Sequence, residues 1–180
     1  RGLGDVYKRQ GENNSHWNQN WLVFDDESDI SSDLIHRLKG CAASVTIVRK
    51  GDSFLTGDIL HINPDLESSF LELFQRLGDT QNPPQRILYL WGFLKEKQTQ
   101  PTPEQFEFVQ KDCFQSLIYI VRTLSVLKTR QHIKLITIGR ETTVVLDDDI
   151  IRSPYVIMPA LGKVAAQEYP HLQYLSLIHI

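Results

Sequence analysis

Several things are scarce or missing in these 180 residues. There are two cysteines, Cys41 and Cys113, far apart and with no C-x-x-C spacing. That argues against a disulfide scaffold and fits buried thiols in a reducing compartment. No apolar run approaches the roughly 18–20 residues of a membrane span, and no secretory leader is visible. The formal net charge is −3, so no basic excess points to a nucleic acid or an anionic bilayer. The histidines of the body, 16, 36, 61, 132 and 171, show no H-x-H or H-x-x-x-H grouping, which leaves no metal-ligand motif. There is no G-x-S-x-G and no cysteine in a nucleophile context. Internal repeats and low-complexity tracts are also lacking.

The two ends stand apart from the rest. Asp5–Gln10 can be written in codons whose reverse complement translates as Leu-Ser-Leu-Ile-His-Ile, the residues at 175–180. Ends encoded by opposite strands of one DNA word look like a sequencing-library adaptor read in frame. The expectation is that 1–10 and 175–180 are adaptor-derived, that 11–20 is a polar linker, and that 21–174 is the domain, a fragment of a longer chain. Setting aside Arg1, Asp5, Lys8 and Arg9 leaves 16 basic and 21 acidic side chains, a formal charge of −5.

Within 21–174 the apolar residues are organised. Trp21-Leu-Val-Phe24 is a continuous apolar run, as expected for a strand buried on both faces. Ile30, Leu34 and Leu38 recur every four residues and predict a short helix, with Gly40 as its left-handed cap. Ser44–Val48 reads as a strand, and Ser53–Ile62 is mixed in pattern. Asn63-Pro64 predicts a helix start, with Asn as cap and Pro at the first position. The stripe Leu66, Phe70, Leu73, Phe74 and Leu77 follows, stopped by Gly78. Arg86–Phe93 is a strong strand.

Thr102, Pro103 and Gln105 resemble a capping box opening a long helix. Phe106, Val109, Cys113, Leu117, Ile120, Leu124 and Leu127 keep one face of it, widened by Phe114, Ile118 and Val121. Ile133–Ile138 is a further strand, and 139–153 is a long connection. A last helix begins near Pro159 and ends at Tyr169-Pro170. Strands alternating with helices predict an α/β sandwich of three layers around a mainly parallel, Rossmann-like sheet.

Such a body invites a search for a cofactor loop. A dinucleotide needs glycines after the first strand, so that backbone and helix N-terminus can approach the pyrophosphate. The only G-x-G is Gly2-Leu3-Gly4, in the set-aside end. After Phe24 come Asp25, Asp26, Glu27, Ser28 and Asp29, which would repel phosphate. They read as a solvated turn with Ser28 or Asp29 as cap. A short-chain reductase needs a tyrosine followed four residues later by lysine. Tyr89, Tyr119, Tyr155 and Tyr169 are followed there by Phe93, Thr123, Pro159 and Gln173, so they read as packing residues. Asp147-Asp148-Asp149 lacks the ligand spacing of a cation cage and reads as a strand end. No catalytic, cofactor-binding or metal-binding residue is assigned.

The motifs do resemble a family. WLVFDDESDISSDL, RILYLWGF, CFQSLIYIVRTL, KLITIGRETTVV and LGKVAAQEYPHL are similar, in order, to the ketoreductase region of modular type I polyketide synthases. The last is reminiscent of mixed polyketide and nonribosomal-peptide assembly lines. In that family two Rossmann-like halves are linked. The first is truncated, structural and free of cofactor; the second binds NADPH and reduces a 3-oxoacyl thioester on a carrier protein to 3-hydroxyacyl.

The resemblance covers the first half alone. It implies a non-catalytic structural subdomain in a cytoplasmic multienzyme. No cofactor is expected in this fragment, and NADPH is expected in the absent half. The implied partners are the catalytic subdomain of the same chain and, indirectly, other synthase domains and the carrier protein, with no nucleic acid or membrane. A lone subdomain of this kind should expose apolar surface and be marginally soluble. The alternative is a stand-alone Rossmann-like binding or regulatory domain whose acidic loop recognises a cationic partner. A degenerate short-chain dehydrogenase is a third reading.

Overall fold

The computed structural model describes residues 17–52, 57, 59–92, 103, 107, 109–127, 132–140 and 157–179. Six strands form one parallel sheet: β1 (Asn20–Phe24), β2 (Ser44–Lys50), β3 (Ile59–Ile62), β4 (Arg86–Tyr89), β5 (Ile133–Arg140) and β6 (Leu172–His179). Four α-helices connect them: α1 (Asp29–Lys39), α2 (Glu67–Gly78), α3 (Gln115–Val126) and α4 (Ile157–Glu168). The order β3-β2-β1-β4-β5-β6 places the first strand at the centre. Chain direction across the sheet reverses between β1 and β4, which makes their C-terminal ends the topological switch point. The fold class expected from the alternation of strands and helices is the one found.

The sheet separates two cores. Leu22 and Phe24 of β1 join Ile87, Tyr89, Phe70, Leu117 and Leu135 on the face covered by α2, α3 and α4. Trp21 and Val23 join Leu88, Ile136 and the α1 residues Ile35 and Leu38 on the other. A strand buried on both sides has no polar face to alternate with, which is why Trp21–Phe24 reads as unbroken apolar sequence.

Local details differ from the sequence expectations. Gly40 has φ −79°, a right-handed conformation, so it is not a left-handed cap. Ile30 is exposed, and the buried stripe of α1 is Ser31, Ile35 and Leu38, because the helix turns Ser31 toward the end of β1. Asn63 does not cap α2. Its Oδ1 accepts the Asp65 amide at 2.9 Å, forming a turn first, and the helix starts at Glu67 after an extended Leu66 that is itself exposed. Gly78 lies inside α2, and Asp79 follows as the C-cap. The helix before β5 is not uniform: a π turn at Val109–Phe114 precedes α3. Thr102 and Gln105 of the expected capping box, and most of the 139–153 connection, lie outside the described residues. The final helix starts at Ile157, two residues before Pro159.

β6 runs through Leu175 to His179, within the segment set aside as adaptor-derived. It pairs with β5 from Ile133↔Leu172 to Arg140↔His179. Backbone pairing at an open edge asks little of sequence beyond an extended chain, which Leu-Ser-Leu-Ile-His supplies.

α4 reaches this edge through Gly162. A Cβ there would fall 2.1 Å from the Tyr174 ring, whose hydroxyl pairs with Thr137 Oγ1 at 2.7 Å. Gly162→Ala is therefore expected to cost about 1–3 kcal/mol by overpacking. Thermal melts of the variant test this; an unchanged midpoint would show that Tyr174 swings away freely.

Candidate functional site

The switch point is where a doubly wound sheet presents its ligand site. Here β1 delivers Asp25 directly into a four-residue turn, Asp25–Ser28, ahead of α1. Asp25 is 2% exposed. Its Oδ1 accepts the Glu27 amide at 2.9 Å and the Ser31 hydroxyl at 2.6 Å, and its Oδ2 accepts Arg49 Nε at 2.8 Å. Burial pushes the Asp25 carboxyl up. The hydrogen bonds from Ser31, Glu27 and Arg49, with the guanidinium charge, outweigh that and hold it below its ordinary value.

The rest of the turn is bonded in a similar way, although Asp26 Oδ2 is buried with no hydrogen-bond partner among the described residues. Ser28 caps α1, its Oγ accepting the Ser31 amide at 3.1 Å. Asp26 Oδ1 accepts both the amide of Ser28 at 3.2 Å and its hydroxyl at 2.8 Å. Glu27 sits at φ 60°, the left-handed region where glycine is the usual residue, and its carboxylate lies 3.3 Å from Arg49 Nη1. Ion pairs from Asp25 and Glu27 to Arg49 brace the turn.

The β4 side of the crevice is filled with aromatic mass. The Trp91 indole N–H donates to the Asp25 carbonyl at 3.0 Å, and the Lys50 ammonium lies 5.4 Å from the Trp91 ring centroid. Phe24 meets Trp91 edge-on at 5.1 Å and Tyr89 at 5.8 Å. The Cys113 thiol donates to the Trp91 carbonyl at 3.0 Å, and the Tyr89 hydroxyl donates to the Cys113 carbonyl at 2.6 Å. The π turn that ends at Phe114 thus ties α3 to the strand.

The candidates weighed from sequence fall apart in space. Tyr89 is buried and engaged as described; Tyr119 and Tyr169 are half-buried packing residues against the larger core. Tyr155, His16 and Asp147–Asp149 lie outside the described residues. His36, His61, His132 and His171 are not brought together, and no group of three or more His, Cys, Asp or Glu side chains gathers for a metal among the described residues. Cys41 is exposed and Cys113 buried, both as free thiols. Sequence reasoning found the acidic turn but missed Arg49. The signal was available: β2 ends Val48-Arg49-Lys50, and parallel registry with β1 carries Arg49 beside Asp25.

Amides at a strand-to-helix turn are the donors a phosphate uses, and here those of Glu27, Ser28 and Ser31 are engaged. All three are bonded to the chain's own side-chain oxygens. The carboxylates of Asp26 and Glu27 in the same turn add charge that disfavours a pyrophosphate there.

This sheet order defines a Rossmann-like α/β domain. The chain belongs to the family described as beta-ketoacyl synthase-like, N-terminal, whose model matches residues 19–174. Among solved structures it is similar to a multidomain structure of a keto acid-selecting NRPS module with adenylation, ketoreductase and pseudo Asub parts. That match has a TM-score of 0.77 and 18% identity over 89% of this chain. The chain spans 13% of that much longer one. It is also similar to a short-chain dehydrogenase from Burkholderia cenocepacia in complex with NADP (TM-score 0.64, 12% identity, 89% of this chain and 71% of that one). A third similar structure is the Bacillus cereus enoyl-acyl carrier protein reductase with NADP+ (TM-score 0.65, 10% identity, 88% and 70%). At these identities the likeness is one of fold. No curated protein matches the chain. No helix among the described residues is long and apolar enough to cross a membrane.

Proposed function

We propose that this chain is the structural, non-catalytic subdomain of a polyketide-synthase ketoreductase region. Its partner would be a catalytic subdomain of the same polypeptide, which would use NADPH to reduce a 3-oxoacyl group on a carrier protein to 3-hydroxyacyl. The assembly would be cytoplasmic. The observation that carries this reading is the closed switch point: Asp25, paired with Arg49, holds the place where a reductase of this fold needs free amides and glycine. The family match over 19–174 and the likeness to a module containing a ketoreductase support it. The rival in which the acidic loop grips a cationic partner is less favoured, because Asp25 and Glu27 are already paired with Arg49.

Calorimetric titration of the chain with NADPH is expected to show no saturable heat. A micromolar binding isotherm would remove the proposal and restore the degenerate-dehydrogenase reading.

A further inference from the structure

Parallel registry draws one row of side chains across the face that α1 covers: Trp21 on β1, Arg86 on β4, Lys134 on β5 and Gln173 on β6. Arg86 and Lys134 are direct neighbours, both half-buried, at the N-terminal edge of the sheet. Like charges side by side on adjacent strands are unfavourable unless an anion joins them. Among the described residues none does. The Arg86 Nε donates to a neutral partner, Gln19 Oε1, at 2.6 Å, and no carboxylate lies within ion-pair distance of either cation. Elsewhere Arg37, Arg49 and Arg122 each have an acid.

An aromatic platform adjoins the pair. The Arg86 guanidinium lies 5.9 Å from the Trp21 ring centroid, and Trp17 stacks on Trp21 at 5.7 Å with planes 8° apart. Trp17 is 50% exposed. Half-exposed tryptophan next to an arginine that has no acidic partner among the described residues is the pairing that anchors protein interfaces.

We infer that Trp17, Arg86 and Lys134 form a docking surface for a carboxylate-bearing segment of a partner protein. Two cations suit one or two carboxylates. A phosphate polymer or an anionic bilayer asks for an extended basic surface, which a chain of formal net charge −3 does not favour. The inference stands on the sheet edge opposite the switch point and does not depend on the function proposed above.

The test is fluorescence anisotropy of the full chain with fluorescein-labelled decaglutamate. Saturable binding is expected at about 50 mM salt, fading by about 300 mM as screening grows. The double variant Arg86→Gln/Lys134→Gln should weaken it roughly fivefold or more, and Trp17→Ala should weaken it further. Arg37→Gln, on α1, should leave it unchanged. If circular dichroism shows the double variant unfolded, Lys134→Gln alone supplies the reading, with about a twofold loss expected. No binding by the wild-type chain, or undiminished binding by a folded variant, overturns the inference. Tighter binding of labelled polyphosphate than of decaglutamate would also overturn it, by assigning a phosphate-bearing partner.

Discussion

Asp25→Ala lowers the stability of the chain by about 2–4 kcal/mol at neutral pH, the largest effect expected of any polar substitution described here. The carboxylate is buried and accepts hydrogen bonds from Glu27, Ser31 and Arg49. Without it the Glu27 amide loses its acceptor in a residue already held at φ 60°, and Arg49 keeps only the exposed Glu27 carboxylate. Ser31 still has the Ser28 carbonyl at 2.9 Å, so the first turn of α1 is not lost outright.

The effect depends on pH with a definite sign. The folded-state pKa of Asp25 lies below the ordinary 3.8. Its stabilisation is therefore complete above that value and is lost as pH falls through the lower folded-state value. The wild-type minus Asp25→Ala difference is expected to be flat from about pH 5 to 8 and to shrink below about pH 4. Urea denaturation at pH 7, 5 and 3 measures it. A difference below 1 kcal/mol at pH 7, or one that grows in acid, would contradict the pairing.

The second large effect belongs to the core. Phe24 is fully buried and contacts Phe70, Tyr89 and Trp91 at centroid distances of 6.3, 5.8 and 5.1 Å. These rings belong to β1, α2 and β4 with its continuation, so a cavity at Phe24 is shared by three elements and cannot be closed by moving one. Phe24→Ala is expected to cost about 3–5 kcal/mol. Phe24→Leu, which keeps most of the volume, should cost less than half of that. Equal losses for the two would mean that the ring geometry, not its volume, governs the cluster.

Much of this frame was readable from the residues. Trp21–Phe24 announced a strand buried on both faces, because such burial removes polar alternation. The α2 stripe from Phe70 to Leu77 and the Ser28 cap were legible because both depend on contacts within a few residues. The acidic turn was legible as well, since four acids in the five residues after Phe24 stand out in the sequence. The missed features were set at longer range or by competition between local devices. Arg49 acquires its role only when β2 lies against β1. Asn63 could cap a helix or a turn, and the turn wins by bonding Asp65 first. Ile30 fits a helical period, but the helix is rotated by the Asp25–Ser31 bond, which periodicity does not record. The β6 extension follows from the open edge of β5, which is invisible until the sheet exists.

The central position of β1 also has a consequence for how the chain acquires its structure. β1 needs β2 on one side and β4 on the other, and Arg86, the β4 partner of Trp21, stands 65 residues further along the chain. Until that segment arrives, half of the backbone groups of β1 and the side chains of Leu22 and Phe24 lack their native surroundings. Loop closure over such separations must precede any reward from pairing, so the sheet assembles slowly and late. A nascent chain halted before Arg86 therefore presents its most apolar strand as an unfinished edge, the kind of surface that chaperones bind and that other nascent chains stick to.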